Sequence, residues 1–240
     1  MEKKLIPMYG IFAVLTVLLT SCWFMGPSIK GNGNVTENTR NVGAFEKIDV
    51  NRGMNVYITQ GSPAKVVVIA DNNLQKVIVT KVEGNVLKIT VSKNIRWAKE
   101  KKVMVTVEKL SGVETTSGAN VWSQSQITSE NLKLHANSGA NLTLDLNANF
   151  LDADCNSGAN IKLSGKAKEA ELEASSGANL IGRDLKTDRC KMHVSSGGNV
   201  SSGVVEKLDA HASSGGNVVY YGEPTSVNVK TSSGGNIVHN

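Results

Sequence analysis

The sequence predicts an all-β fold, a single-stranded parallel β-helix or β-solenoid with coils of about 19 residues and an N-terminal β-layer, and three observations carry that prediction. Glycine is abundant and proline scarce, 23 against 4 in 240 residues, and Asn and Ser recur throughout, as expected of many tight turns between short strands. The tetrapeptide Ser-Gly-Ala-Asn or Ser-Gly-Gly-Asn occurs seven times, ending at Asn120, Asn141, Asn160, Asn179, Asn199, Asn217 and Asn236, at intervals of 21, 19, 19, 20, 18 and 19 residues. That period is too short for helix-pair repeats. Aligned on the Asn, the copies alternate apolar and polar positions with period two, as a half-buried strand requires.

Residues 1–21 read as a secretory leader. Lys3 and Lys4 precede an uncharged stretch from Leu5 to Ser21 that is too short, and too broken by Pro7 and Gly10, to span a membrane. It ends Leu19-Thr20-Ser21-Cys22, which resembles the bacterial lipobox, so Cys22 is the expected lipidation site and the lipid the expected contact with the membrane. Residues 23–28 lack the acidic cluster that often marks export to the cell surface. The expected location is therefore the outer membrane, with the periplasm-facing side favoured. Residues 22–41 shift to Gly, Asn, Thr and Ser, including Gly31-Asn32-Gly33-Asn34, and read as a flexible tether.

Residues 42–110 read as an N-terminal β-layer continuous with the solenoid. Segments 45–50, 54–60, 64–70, 76–82, 86–92 and 102–109 alternate or run apolar, with turn signals at Gly61-Ser62-Pro63, Asp71-Asn72-Asn73 and Gly84-Asn85. Arg52-Gly53-Met54-Asn55 looks like a degenerate copy of the repeated corner, and residues 95–102 read as a charged loop.

Residues 111–240 carry the repeat itself. The columns nine, seven and five places before each Asn are apolar or small, as in Leu151, Ala153 and Cys155 or Ala170, Leu172 and Ala174, and face inward. The columns eight and six places before hold Lys133 and His135, Asp152 and Asp154, Glu171 and Glu173, Lys191 and His193, and face water. An aliphatic residue follows each Asn and opens a second inward-pointing strand. The expected coil is therefore a strand, a turn and another strand, with Gly at the corner for positive φ or crowding and the Asn side chains stacked as an amide ladder. Narrow coils leave little room for rings, which accounts for an aromatic content of only 5%.

With these residues in place, the lipobox, Phe45-Glu46-Lys47-Ile48-Asp49-Val50, Met54-Asn55-Val56-Tyr57-Ile58-Thr59-Gln60-Gly61, Leu87-Lys88-Ile89 and the recurrent Ser-Gly-Ala-Asn resemble the auto-transporter adhesin head, or GIN, domain family over about residues 42–238. The resemblance implies a right-handed β-helix-like fold in a bacterial envelope protein, typically a lipoprotein, and supplies no catalytic motif.

The formal charge of +5 falls to +4 once Glu2, Lys3 and Lys4 leave with the leader. Lys and Arg are scattered without interleaved aromatics, so no nucleic-acid partner is expected. Asp152, Asp154, Glu171 and Glu173 form a two-by-two acidic block on adjacent coils. Such a block could hold a hard cation, act as the paired acids of a glycan-cleaving enzyme, or pair with the flanking Lys133, His135, Lys191 and His193 as a solvated face. Cys155 and Cys190 fall two coils apart in different inward columns, too far for a disulfide. The leading expectation is a non-enzymatic adhesin-like or scaffold protein that contacts glycan or envelope protein and needs no cofactor. The alternative is a carbohydrate-active β-helix enzyme or a metal-dependent glycan-binding protein. The strand edge of the last coil, near Asn240, is expected to invite self-association.

Overall fold

The repeated corner is a two-residue turn whose first residue is serine. Ser117, Ser138, Ser157, Ser176, Ser196, Ser214 and Ser233 all have φ between 47° and 53°, and each following glycine has φ between 68° and 76°. Two successive residues with positive φ make a type I′ turn, closed in the third coil by the Ala159 amide donating to the Asn156 carbonyl at 3.1 Å. A Cβ on Gly118, Gly139 or Gly158 would meet nothing within 4 Å. Backbone conformation, not crowding, therefore explains glycine at the second position.

The computed structural model describes residues 27–240, so the expected leader and Cys22 lie outside the described residues. In chain order the strands are β1 (Ser28–Lys30), β2 (Val35–Arg40), β3 (Lys47–Val50), β4 (Asn55–Gln60), β5 (Lys65–Asp71), β6 (Ile78–Glu83), β7 (Val86–Val91), β8 (Asn94–Trp97), β9 (Lys101–Val107), β10 (Gly112–Thr115) and β11 (Asn120–Ser123). There follow β12 (Ile127–Ala136), β13 (Asn141–Cys155), β14 (Asn160–Ala174), β15 (Asn179–Val194), β16 (Asn199–Ala212), β17 (Asn217–Tyr221), β18 (Ser226–Thr231) and β19 (Asn236–His239). Among the described residues the only helical turn is a 3₁₀ segment, Asn72–Leu74.

From β10 onward the coils stack in parallel with Asn on Asn, as in Asn141 with Asn160 and Asn160 with Asn179. The inward columns bury as the alternation requires. Leu132, Leu151 and Leu208 are fully covered, as are Ala153, Leu172 and Met192. In the middle of the stack each coil is one continuous strand of 14 to 16 residues, β13 to β16, that bends around the core. The expected two strands per coil are therefore fused, because residues such as Ala148 and Ala167 continue the alternation through the intervening bend, where β14 turns at Gly165 with φ 101°.

The N-terminal layer departs from chain order. β3 lies between β7 and β10, and β4 between β9 and β11, all in parallel. The coil made of β7 and β9 thus sits beneath the earlier coil made of β3 and β4. The chain descends by two antiparallel steps, β5 against β9 and β6 against β7, and then crosses back to β10. β2 pairs antiparallel with β5, and together β2, β5 and β6 close this pole. Two expectations need correction. Residues 28–40, expected within the flexible tether, form β1 and β2. Their loop is fixed by the buried Asp71 carboxylate, which accepts the Gly33 amide at 2.7 Å and the Glu100 amide at 3.1 Å. These backbone bonds hold Asp71 below its ordinary pKa despite burial, which acts the other way more strongly than any single bond. Residues 95–102, expected as a loop, include most of β8, paired in parallel with β1, and the start of β9.

Candidate functional site

The register places the four acidic residues as a block. Asp152 stands beside Glu171, and Asp154 beside Glu173, on β13 and β14. Each pair is one interstrand spacing apart, about 4.8 Å between backbones. Flanking coils bring lysine and histidine side chains to them. Lys133 Nζ is 3.2 Å from Asp152, His135 Nδ1 is 3.0 Å from Asp154, and Lys191 Nζ is 2.7 Å from Glu171. Glu173 lies in register with His193 and makes no ion pair within 4 Å among the described residues. The contact to Glu171 raises the Lys191 pKa, and the side chains lie in water, where each pair contributes little to stability.

Asp154 also accepts from the Asn156 amide at 2.6 Å, so its two oxygens are shared between a histidine and an amide. Beside this block Gly112 interrupts the outward column between Lys47 and Lys133. The missing side chain opens a shallow trough of about 540 Å³, bordered by Lys47, Asp49, Glu114, Lys133, His135 and the acidic block. Reading the sequence passed over this trough, whose one signal there is Gly112, the single glycine in its column of seven. Farther along the stack Arg189 bonds Glu169 at 2.6 Å and lies 3.6 Å from Glu206, which lowers the Glu169 pKa. His193 and His211 stand on adjacent coils with ring centroids 5.9 Å apart. Among the described residues no group of three or more His, Cys, Asp or Glu side chains is placed to hold a metal ion.

The corner Asn side chains make a continuous ladder on the neighbouring edge. Asn120 donates to Asn55, Asn141 to Asn120, Asn160 to Asn141, Asn179 to Asn160, Asn199 to Asn179 and Asn217 to Asn199, at 2.9 to 3.1 Å. Asn236 continues the backbone register above Asn217. Each amide donates to one coil and accepts from the next, so the ladder is structural. Cys155 and Cys190 are buried free thiols. Burial pushes both up to about 12, which makes them poor nucleophiles.

A stack of parallel coils with an apolar core and a charge-paired outer face defines the class of β-solenoid proteins. Within that class, the chain belongs to the family described as putative auto-transporter adhesin, head GIN domain, whose model matches residues 44–224. Its fold is similar to a crystal structure described as a putative adhesin from Bacteroides fragilis, with 22% identity and a TM-score of 0.79 over 88% of this chain and 100% of that one. It is also similar to a putative adhesin from Parabacteroides distasonis, at 19% identity and a TM-score of 0.75 over 89% and 100% of the two chains. A protein of the latter organism described as a putative lipid binding protein aligns at 18% identity and 0.63, over 88% and 99%. No curated protein matches this chain in sequence.

Proposed function

We propose that this chain is a lipid-anchored protein of the bacterial outer membrane, acylated at Cys22, whose solenoid makes adhesin-like or scaffold contacts with glycan or envelope protein and performs no catalysis. The family's adhesin name supports an envelope or surface setting. Among the described residues no helix is long and apolar enough to cross a membrane, so attachment in this reading falls to the lipid.

The observation that carries the contact reading is the charge pairing of the acidic block. A glycosidase needs one carboxyl group held protonated, usually by a poorly solvated site, and a second held ionised. Here Asp152, Asp154 and Glu171 each face a cationic or histidine partner across a coil on an open face. Alternating donors and acceptors repeated at the coil spacing suit an extended, polar partner laid along the stack.

A screen of residues 23–240 against immobilised glycans and Ca²⁺ tests this reading, with Asp152→Asn, Asp154→Asn, Glu171→Gln and Glu173→Gln combined as the control. Glycan retention that weakens in the control, without cleavage, supports contact. Cleavage abolished in the control would overturn the reading in favour of an enzyme, and Ca²⁺-dependent retention would favour a metal-dependent binder. In cells, Cys22→Ser is expected to abolish incorporation of labelled fatty acid into the protein.

A further inference from the structure

The acidic face uses one wall of the solenoid, and the opposite electrostatic character gathers at the corner of its lowest coil. In every later coil that corner is a Ser-Gly turn. Between β7 and β9 it is instead an excursion of residues 92–100 that carries β8 and pairs with β1. Beneath the Arg52-Gly53 turn the excursion leaves a cleft of about 740 Å³, lined by Pro27, Arg52, Lys93, Arg96 and Lys101 among others and by no carboxylate among the described residues.

Lys101 Nζ lies 3.4 Å from where a Gly53 Cβ would stand, so the ammonium sits over the turn. Burial draws its pKa below the ordinary lysine value, which marks an ammonium without its counter-charge. Arg52 donates to the Val91 carbonyl at 2.9 Å, which aims the guanidinium along the cleft, and none of the four cations makes an ion pair within 4 Å among the described residues. On the adjoining two-stranded sheet Trp97 is 48% exposed, with Lys30 Nζ 5.7 Å from its ring centre.

We infer that this corner is a docking surface for the anionic phospholipid headgroups of the membrane that carries the protein. Guanidinium and ammonium groups bind phosphate oxygens, an exposed tryptophan beside lysine suits the bilayer interface, and a basic patch is the second signal that holds a lipidated protein firmly on a bilayer. Continuity supplies the orientation. Pro27 lines the cleft, five residues after Cys22, so an acyl chain at Cys22 would bring this corner to the headgroups. The inference rests on the lipid-anchor reading for its setting, but its chemistry is testable without the lipid.

The test uses residues 23–240, which contain every described strand and no acylation site, sedimented with phosphatidylcholine vesicles and with vesicles containing phosphatidylglycerol. The protein is expected to bind the anionic vesicles, and Lys93→Gln, Arg96→Gln and Lys101→Gln combined should weaken that binding roughly 100-fold, at about fivefold per basic group. A control with the same charge loss, Lys162→Gln, Lys207→Gln and Lys230→Gln, should bind as the unaltered protein does, and both variants are checked for unchanged circular dichroism. Equal binding to neutral vesicles, an equal loss in the control, no loss in the cleft variant, or binding of inorganic phosphate without vesicle binding would overturn the inference. Absence of Cys22-dependent incorporation of labelled fatty acid in cells would sink the anchor reading and leave this measurement standing.

Discussion

Serine rarely adopts a left-handed backbone, yet among the described residues seven of the eight non-glycine residues with positive φ are the corner serines, the eighth being Arg52. Stacking explains why they stay there. The Gly158 amide donates to the Ser176 carbonyl at 3.1 Å and the Gly177 amide to Ser196 at 3.1 Å, so each turn is held by the next. Asn is better suited than Ser to the first position of such a turn. Ser157→Asn should therefore raise stability in urea by several tenths of a kcal/mol, whereas Gly158→Ala should lower it by about 1–2 kcal/mol through backbone strain alone. Thr115 points its hydroxyl into the core without a partner, in a column where Ala136, Cys155 and Val194 stand in later coils. Thr115→Val keeps the shape and removes an unsatisfied hydroxyl, so a gain of about 1 kcal/mol is expected in the same titration. The glycine at the corner was readable from the repeat. The positive φ of the serine was not, because serine is common in turns of many kinds.

At the scale of the coil, period two fixed which columns are buried, and Leu172, Met192 and Cys190 lie inside as the alignment on Asn requires. The amide ladder has a measurable consequence. Asn160→Ala removes the bond to Asn141 and strands the donor of Asn179, and a loss of about 1–3 kcal/mol is expected. The thiols give a pH dependence with a definite sign. The fold favours neutral Cys155 and Cys190, raised from 9.0 to about 12. Their contribution is full below pH 9 and is lost as pH rises towards 12. Cys155→Ala with Cys190→Ala, residues already present in those columns at Ala174 and Ala170, should flatten the decline of stability over that range. The antiparallel cap left no such trace in the sequence. Segments 64–70 and 76–82 read as strands, but period two is blind to direction, and the order in which β7 slides beneath β3 depends on contacts remote in the chain.

For the whole molecule, the two poles differ in kind. β2, β5 and β6 close the N-terminal pole with antiparallel strands, and the basic corner lies beside it. At the other pole Val227 and Val229, which occupy inward columns, are 44% and 46% exposed on β18. Two copies of β18 paired antiparallel about Val229 would set Val227 opposite Thr231 and Asn228 opposite Lys230, with no like charges directly facing. A closed dimer is the expected assembly, since an antiparallel pairing of β18 with itself is two-fold symmetric and uses the edge up. Light scattering on residues 23–240 should report a dimer that Val229→Lys converts to a monomer. Between the poles, the acidic block could be placed from sequence because register follows directly from the repeat. The basic corner could not, because Arg52 and Lys93 meet only through the crossed order of the first two coils.

On the function proposed above, the outward wall works by contact spread along the stack, not by chemistry at one point. Co-sedimentation with insoluble cell-wall polysaccharide addresses it most directly, using charge-neutralising changes made one coil at a time at Lys47 with Asp49, Lys133 with His135, Asp152 with Asp154, and Glu171 with Glu173. Retention is expected to fall by a modest and similar factor for each coil, with no soluble fragments released. Fragment release that disappears with Asp152 and Asp154, or with Glu171 and Glu173, while the other coils have no effect would contradict it.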